Sequence, residues 1–163
     1  MARLLIIDDD VPFSLFLQDQ FTQAGFQVEL AALAREGLDM AAAARPDLIL
    51  LDLLLPDETG FQTCGKLRKN PRTHSVPVIM MSGALRLPGQ HALARLMGAN
   101  DVVSKPFEIA EILERIHVLL GTQHPTRAVA ARPELGRPPQ SQDSEVAEMS
   151  SRLIFMPIGS PFL

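Results

Sequence analysis

The chain has little of what covalent bracing or membrane insertion requires. One cysteine, Cys64, in 163 residues excludes an intramolecular disulfide, and its place in a helix-period stretch reads as a small buried hydrophobe, not a nucleophile. Redox chemistry is not expected. Nearly half of the residues are apolar (47%), yet no apolar run reaches the roughly 18 needed to cross a bilayer, so membrane insertion is not expected and a cytoplasmic protein fits best. An excess of basic charge is also missing. The formal charge is −4, and all of it falls in residues 1 to 120, with 11 basic against 15 acidic groups, while the rest is balanced at 4 and 4. Direct binding of nucleic acid by charge is therefore not expected. The four histidines, His74, His91, His117 and His124, are scattered singly without the paired spacing of a zinc site, and read as surface or linker residues.

What is present is a regular alternation. Apolar runs of strand length alternate with helix-period segments, the pattern of repeated βαβ units around a parallel sheet. Strands are expected at Leu4 to Ile7, Phe26 to Leu30, Leu48 to Leu51, Val76 to Met81 and Val102 to Val103, the second of them edge-like. The first helix should start near Pro12, carry Phe13, Phe16, Leu17 and Phe21 at helical spacing, and end at Gly25. An alanine-rich helix over Arg35 to Ala44 is halted by Pro46. A loop from Pro56 to Gly60 precedes a helix over Phe61 to Lys69, and Pro88 opens a fourth helix that ends at Gly98. The fifth, Phe107 to Leu120, places Ile109, Ile112, Leu113, Ile116 and Leu120 on one face. Met80 and Met81 read as strand core. The domain should close near Gly121.

Six of the 13 prolines fall after that point, around RPELGRPPQSQDS, as in a flexible or polyproline-type linker. The terminal MSSRLIFMPIGSPFL is apolar but short. It reads as a partner-docking peptide, an end packed on the domain, or residues left by a truncation or frameshift, and the sequence alone favours none of the three. The expected organisation is a domain over 1–121 and a Pro-rich tail over 122–163.

Polar residues stand where the apolar runs stop. Asp8 and Asp9 close ARLLIIDD, Asp52 closes PDLILLD, Ser82 follows VIMM, and Lys105 sits in SKPF. Each would lie at the carboxyl end of a buried strand, the edge at which open α/β sheets bind ligands. Acids crowded there repel one another unless a cation is held, and a hard divalent ion such as Mg²⁺ takes carboxylate, carbonyl and water oxygens. Asp10 reads better as the cap of the first helix.

In order, IIDDD, LILLDLLLPDETG, PVIMMSG and GANDVVSKPF resemble the receiver domain of bacterial two-component response regulators, over residues 1 to 120. The resemblance implies a flavodoxin-like doubly wound α/β fold, a five-stranded parallel sheet in the order 2-1-3-4-5 with five helices. Asp52 then matches the phosphoacceptor, which attacks a phosphohistidine on a sensor histidine kinase or histidine phosphotransfer protein. Asp9 matches the direct Mg²⁺ ligand and Asp8 the acid that reaches the ion through water, and the Leu54 backbone carbonyl completes the protein's share. Lys105 matches the lysine that pairs with the phosphoacceptor and then with the phosphoryl group, aimed in the family by a cis peptide to Pro106. Ser82 supplies a hydroxyl donor.

The match is imperfect at one position. Where receivers usually carry Tyr or Phe, three residues before the lysine, this chain has Val102, so the usual inward turn of that ring is not available. Leu54 and Ala84 hold the positions whose side chains influence attack by water, and neither can position one, which implies slow self-dephosphorylation. Two other functions compete. A degenerate receiver used as a constitutive docking module draws support from Val102 alone, and a haloacid-type Mg²⁺-dependent phosphatase wants a second acid where Leu54 stands. A flavodoxin-like electron carrier would need a phosphate-cradling loop where this chain has three aspartates.

Overall fold

The computed structural model describes residues 1–83 and 89–121. Ala84, the expected helix opening at Pro88, His124 and the tail over 122–163 lie outside the described residues. Within them, β1 (Arg3–Ile7), β2 (Gln27–Ala31), β3 (Leu48–Asp52), β4 (Val78–Ser82) and β5 (Asp101–Ser104) alternate with α1 (Val11–Gln23), α2 (Ala34–Ala44), α3 (Gly60–Lys69), α4 (Gln90–Leu96) and α5 (Ile109–Leu120). The strands form one sheet in the order β2-β1-β3-β4-β5, and every pairing is parallel. This is the fold implied by the resemblance.

Strand alternation divides the core. Leu5, Ile7, Ile49, Leu51, Met80 and Val102 pack with Ala41, Cys64, Leu67 and Ala94 on the α2, α3 and α4 side. Their neighbours Leu4, Ile6, Leu48, Leu50, Ile79, Met81 and Val103 pack with Leu17, Phe21, Ile112 and Ile116 on the α1 and α5 side. A strand covered on both faces needs an unbroken apolar run, and β3 and β4 are buried at every position. At the sheet edge, β2 has the mixed exposure expected of it. Met80 and Met81 are both core, on opposite faces.

Several boundaries differ from the sequence expectation, each for a local reason. Phe16 is half-exposed because Leu17 and Phe21, one turn apart, take the buried stripe of α1. Val76 precedes Pro77 and closes a turn, its N–H donating to the Thr73 carbonyl. The strand therefore begins at Val78 and runs on through Ser82. Glu108 occupies the cap position of α5, so Phe107 lies before the helix. His117 is half-buried against the Phe26 ring, 5.4 Å between centroids, and is more than a surface residue.

Two glycines are set by geometry. Gly25, with φ of +93°, makes the left-handed exit from α1. At the start of α3, a β-carbon on Gly60 would stand 2.3 Å from the Asp52 carbonyl oxygen, so only hydrogen fits where this helix meets the end of β3.

Candidate functional site

Sheet register aligns the polar strand ends. Ile7 pairs with Leu51, which puts Asp8 and Asp52, the next residues, level on adjacent strands. Met81 lies opposite Asp52 and Val103 opposite Met81. Alternation along the strands then puts Asp8, Asp52 and Lys105 on the same side as Leu50, Met81 and Val103, toward α1 and α5. Ser82 alternates instead with Met81, on the side of Met80 and Val102.

The Lys105 ammonium donates to both buried acids, at 2.6 Å to Asp8 Oδ2 and 2.8 Å to Asp52 Oδ1. Backbone groups hold the remaining oxygens. Asp10 N–H donates to Asp8 Oδ1 at 3.0 Å, and Leu54 N–H donates to Asp52 Oδ2 at 2.7 Å. Asp9 is exposed at the mouth. Asp8, Asp9 and Asp52 each offer an oxygen within 4.8 Å of the others. Three carboxylates facing one ammonium leave an excess of negative charge, and such an all-oxygen cluster suits a hard divalent cation.

Burial pushes the Asp8 carboxyl above its ordinary range, although Lys105 and the Asp10 N–H both pull it down. The same burial works against the charge of Lys105. Its hydrogen bonds to Asp52 and Asp8 outweigh that penalty, and its affinity for the proton is raised. The pocket is thus a partly desolvated cation clamped by anions that it only partly satisfies.

Every expected site residue in the described region reaches this edge. Ser82 is buried at the end of β4, and its carbonyl accepts from Lys105 N–H at 3.0 Å. Lys105 and Pro106 are joined by a cis peptide. Leu54, two residues after Asp52, is 60% exposed. Asp10 caps α1, accepting from Phe13 N–H at 3.0 Å. Val102 is buried among Met80, Ala94 and Ala99. Cys64 is buried and its thiol is pushed up by that burial, which suits packing and not nucleophilic chemistry.

Three residues near the pocket are given no site role from the sequence. Phe13 lies with the centre of its ring 4.6 Å from the Lys105 ammonium, and Phe107 meets Phe13 nearly edge-on at 5.8 Å. Asp57, in the loop before α3, accepts from Ala34 N–H at 2.9 Å and Arg35 N–H at 3.0 Å, joining that loop to the start of α2. Phe107 could have been found from the KPF string, but the other two depend on contacts between distant elements.

A doubly wound parallel sheet with paired acids and a lysine at its carboxyl edge defines an α/β domain whose site lies where such open sheets hold their ligands. Residues 4–117 match the family model for the response regulator receiver domain, and the chain belongs to that family of two-component systems. It is 39% identical over 120 residues to the DNA-binding dual master transcriptional regulator RpaA of Synechocystis sp., covering 74% of this chain and 49% of that protein. The chain spans about half the length of the curated relatives it matches. Among solved structures, the chemotaxis protein CheY4 of Vibrio cholerae superposes with a TM-score of 0.69 at 28% identity, covering 73% of this chain and 98% of that one. The receiver domain of the sensor histidine kinase PA1611 of Pseudomonas aeruginosa has a TM-score of 0.68 at 25% identity, covering 74% and 98%, and holds a magnesium ion in its active-site cleft.

Proposed function

We propose that this chain is the phosphoacceptor of a two-component phosphorelay, taking a phosphoryl group onto Asp52 from a phosphohistidine of a sensor kinase or histidine phosphotransfer protein. The receiver unit spans residues 1–121. The observation that carries the reading is the state of the Asp52 carboxylate, held by Lys105 on one oxygen and by a backbone N–H on the other in reach of two further acids.

Asp52 attacks phosphorus, the phosphorus–nitrogen bond to the donor imidazole breaks, and an acyl phosphate forms on the carboxylate. Asp8, Asp9, Asp52 and the Leu54 carbonyl would hold Mg²⁺, which offsets the repulsion between an anionic donor and an anionic nucleophile. The magnesium ion in the cleft of the PA1611 receiver supports that choice of metal. Lys105 stabilises charge on the phosphoryl oxygens once Asp52 no longer offers it a full carboxylate, and Ser82 donates its hydroxyl to one of them. Output is through protein contacts. The DNA binding in RpaA's name is not carried over to this chain.

The test is incubation with acetyl phosphate and Mg²⁺ followed by intact-mass measurement. A gain of one phosphoryl group, absent in Asp52→Asn, is expected. After the donor is removed, the adduct should persist well beyond seconds, because Leu54, the exposed residue two after Asp52, is apolar and offers no group to orient a water. No adduct from any small donor or kinase would overturn the reading in favour of a constitutive docking module, the role that Val102 supports.

A further inference from the structure

We propose that Phe13 is a positioning residue for Lys105, its ring a seat along which the ammonium moves between its resting carboxylates and an incoming phosphoryl group. The inference rests on the phosphoacceptor reading above. It goes further in giving a role to a residue outside the acid, hydroxyl and lysine set.

Lys105 has anions on only part of its surface. Asp8 and Asp52 take hydrogen bonds at 2.6 and 2.8 Å, and the Phe13 ring centroid stands 4.6 Å away, inside the range where a cation is attracted to an aromatic face. A partly desolvated ammonium gains more from such a face than one in water. The ring is itself held in place. Its backbone N–H is fixed by the Asp10 cap at 3.0 Å, two residues beyond Asp8. The Phe107 ring, two residues beyond Lys105, meets it at 66° and 5.8 Å.

The physical effect concerns direction. Hydrogen bonds to two carboxylates fix the ammonium only while both acids keep their charge. When Asp52 becomes an acyl phosphate, its pull on Lys105 weakens, and a lysine on a four-carbon stem has many rotamers open to it. A ring face beneath the ammonium attracts it without demanding one hydrogen-bond direction, so the charge can slide toward the phosphoryl oxygens without turning out to water. Leucine at position 13 would keep the apolar bulk and lose the π face.

Two measurements on the full chain test this. In the first, NMR of the unphosphorylated protein should show the Lys105 ε-methylene protons shifted upfield by the ring current, in wild type and Phe13→Tyr but not in Phe13→Leu. In the second, saturating uptake from acetyl phosphate with Mg²⁺ should slow by about two- to thirtyfold in Phe13→Leu at unchanged half-saturation for the donor, and recover in Phe13→Tyr. Melting curves establish that both variants are folded. Ordinary lysine shifts in wild type, or uptake by Phe13→Leu at the wild-type rate, would overturn the proposal. A wild type that shows the ring-current shift yet accepts no phosphoryl group would sink the phosphoacceptor reading and leave the seat itself standing.

Discussion

At the scale of single residues, the pocket shows how much a side chain's meaning depends on where a strand stops. Asp52 and Asp57 are the same residue type five positions apart, yet one is buried beside a lysine and the other is exposed. Asp57 has its carboxyl held below the usual range by the N–H groups of Arg35 and Ala34. An acid with a lowered folded-state pKa contributes stability above its unfolded value, about 3.9, and loses it as pH falls through the folded value. Thermal melts of wild type and Asp57→Asn should therefore differ near neutrality and converge on acidification; a gap that widens in acid would show the sign to be wrong. The strand-end acids and Lys105 were legible in the sequence because each interrupts an apolar run at the same structural level. Asp57 and Phe13 were not, since their partners are 23 residues away for Ala34 and across the sheet edge for Lys105, and no local pattern encodes such a meeting.

At the scale of elements, the turn from β3 into α3 has the least room. Gly60 N–H donates to the Leu53 carbonyl at 2.7 Å, Leu54 bridges to Thr59, and Thr59 with Gln62 forms a capping box at the helix start. The helix therefore begins almost on top of the strand end that carries Asp52. A methyl group at Gly60 would meet backbone, the Asp52 oxygen at 2.3 Å and the Leu53 α-carbon at 2.9 Å, neither of which can rotate away. Gly60→Ala should cost about 1–3 kcal/mol, read from the urea midpoint, with slower phosphoryl uptake as the Asp52 carboxylate is displaced. An unchanged midpoint would mean that the helix can retreat freely. Periodicity located all ten elements that the structure describes, but it misplaced ends where proline or a cap decides them. Val76 is apolar and still outside β4, because Pro77 breaks the run before the ladder begins.

At the scale of the whole molecule, strand order was legible through the resemblance, and which face each strand residue takes followed from period-two alternation. Switching was not legible. Val102 is 5% exposed, in one buried cluster with Met80, Ala94 and Ala99 on the side that faces α3 and α4, so a change passing from Ser82 through position 102 would be a shift of packed aliphatic side chains and not the swing of a ring there. Metal removal is the global test of the pocket. A ligand that binds only the folded state stabilises it by mass action, about 2.7 kcal/mol at 100 times Kd. The melting temperature should rise with Mg²⁺ concentration, fall on adding chelator, and respond far less in Asp9→Asn or Asp52→Asn. A wild type indifferent to Mg²⁺ would leave the acids without the cation assigned to them.

The bond between Lys105 and Asp8 joins residues 97 apart in the chain, spanning from just after the first strand to just after the last. A nascent chain that has emerged only as far as β4 carries all of the acids and none of their counter-charge. The charge balance of the pocket is thereby a form of proofreading, complete only in molecules whose synthesis and folding have both reached the far edge of the sheet.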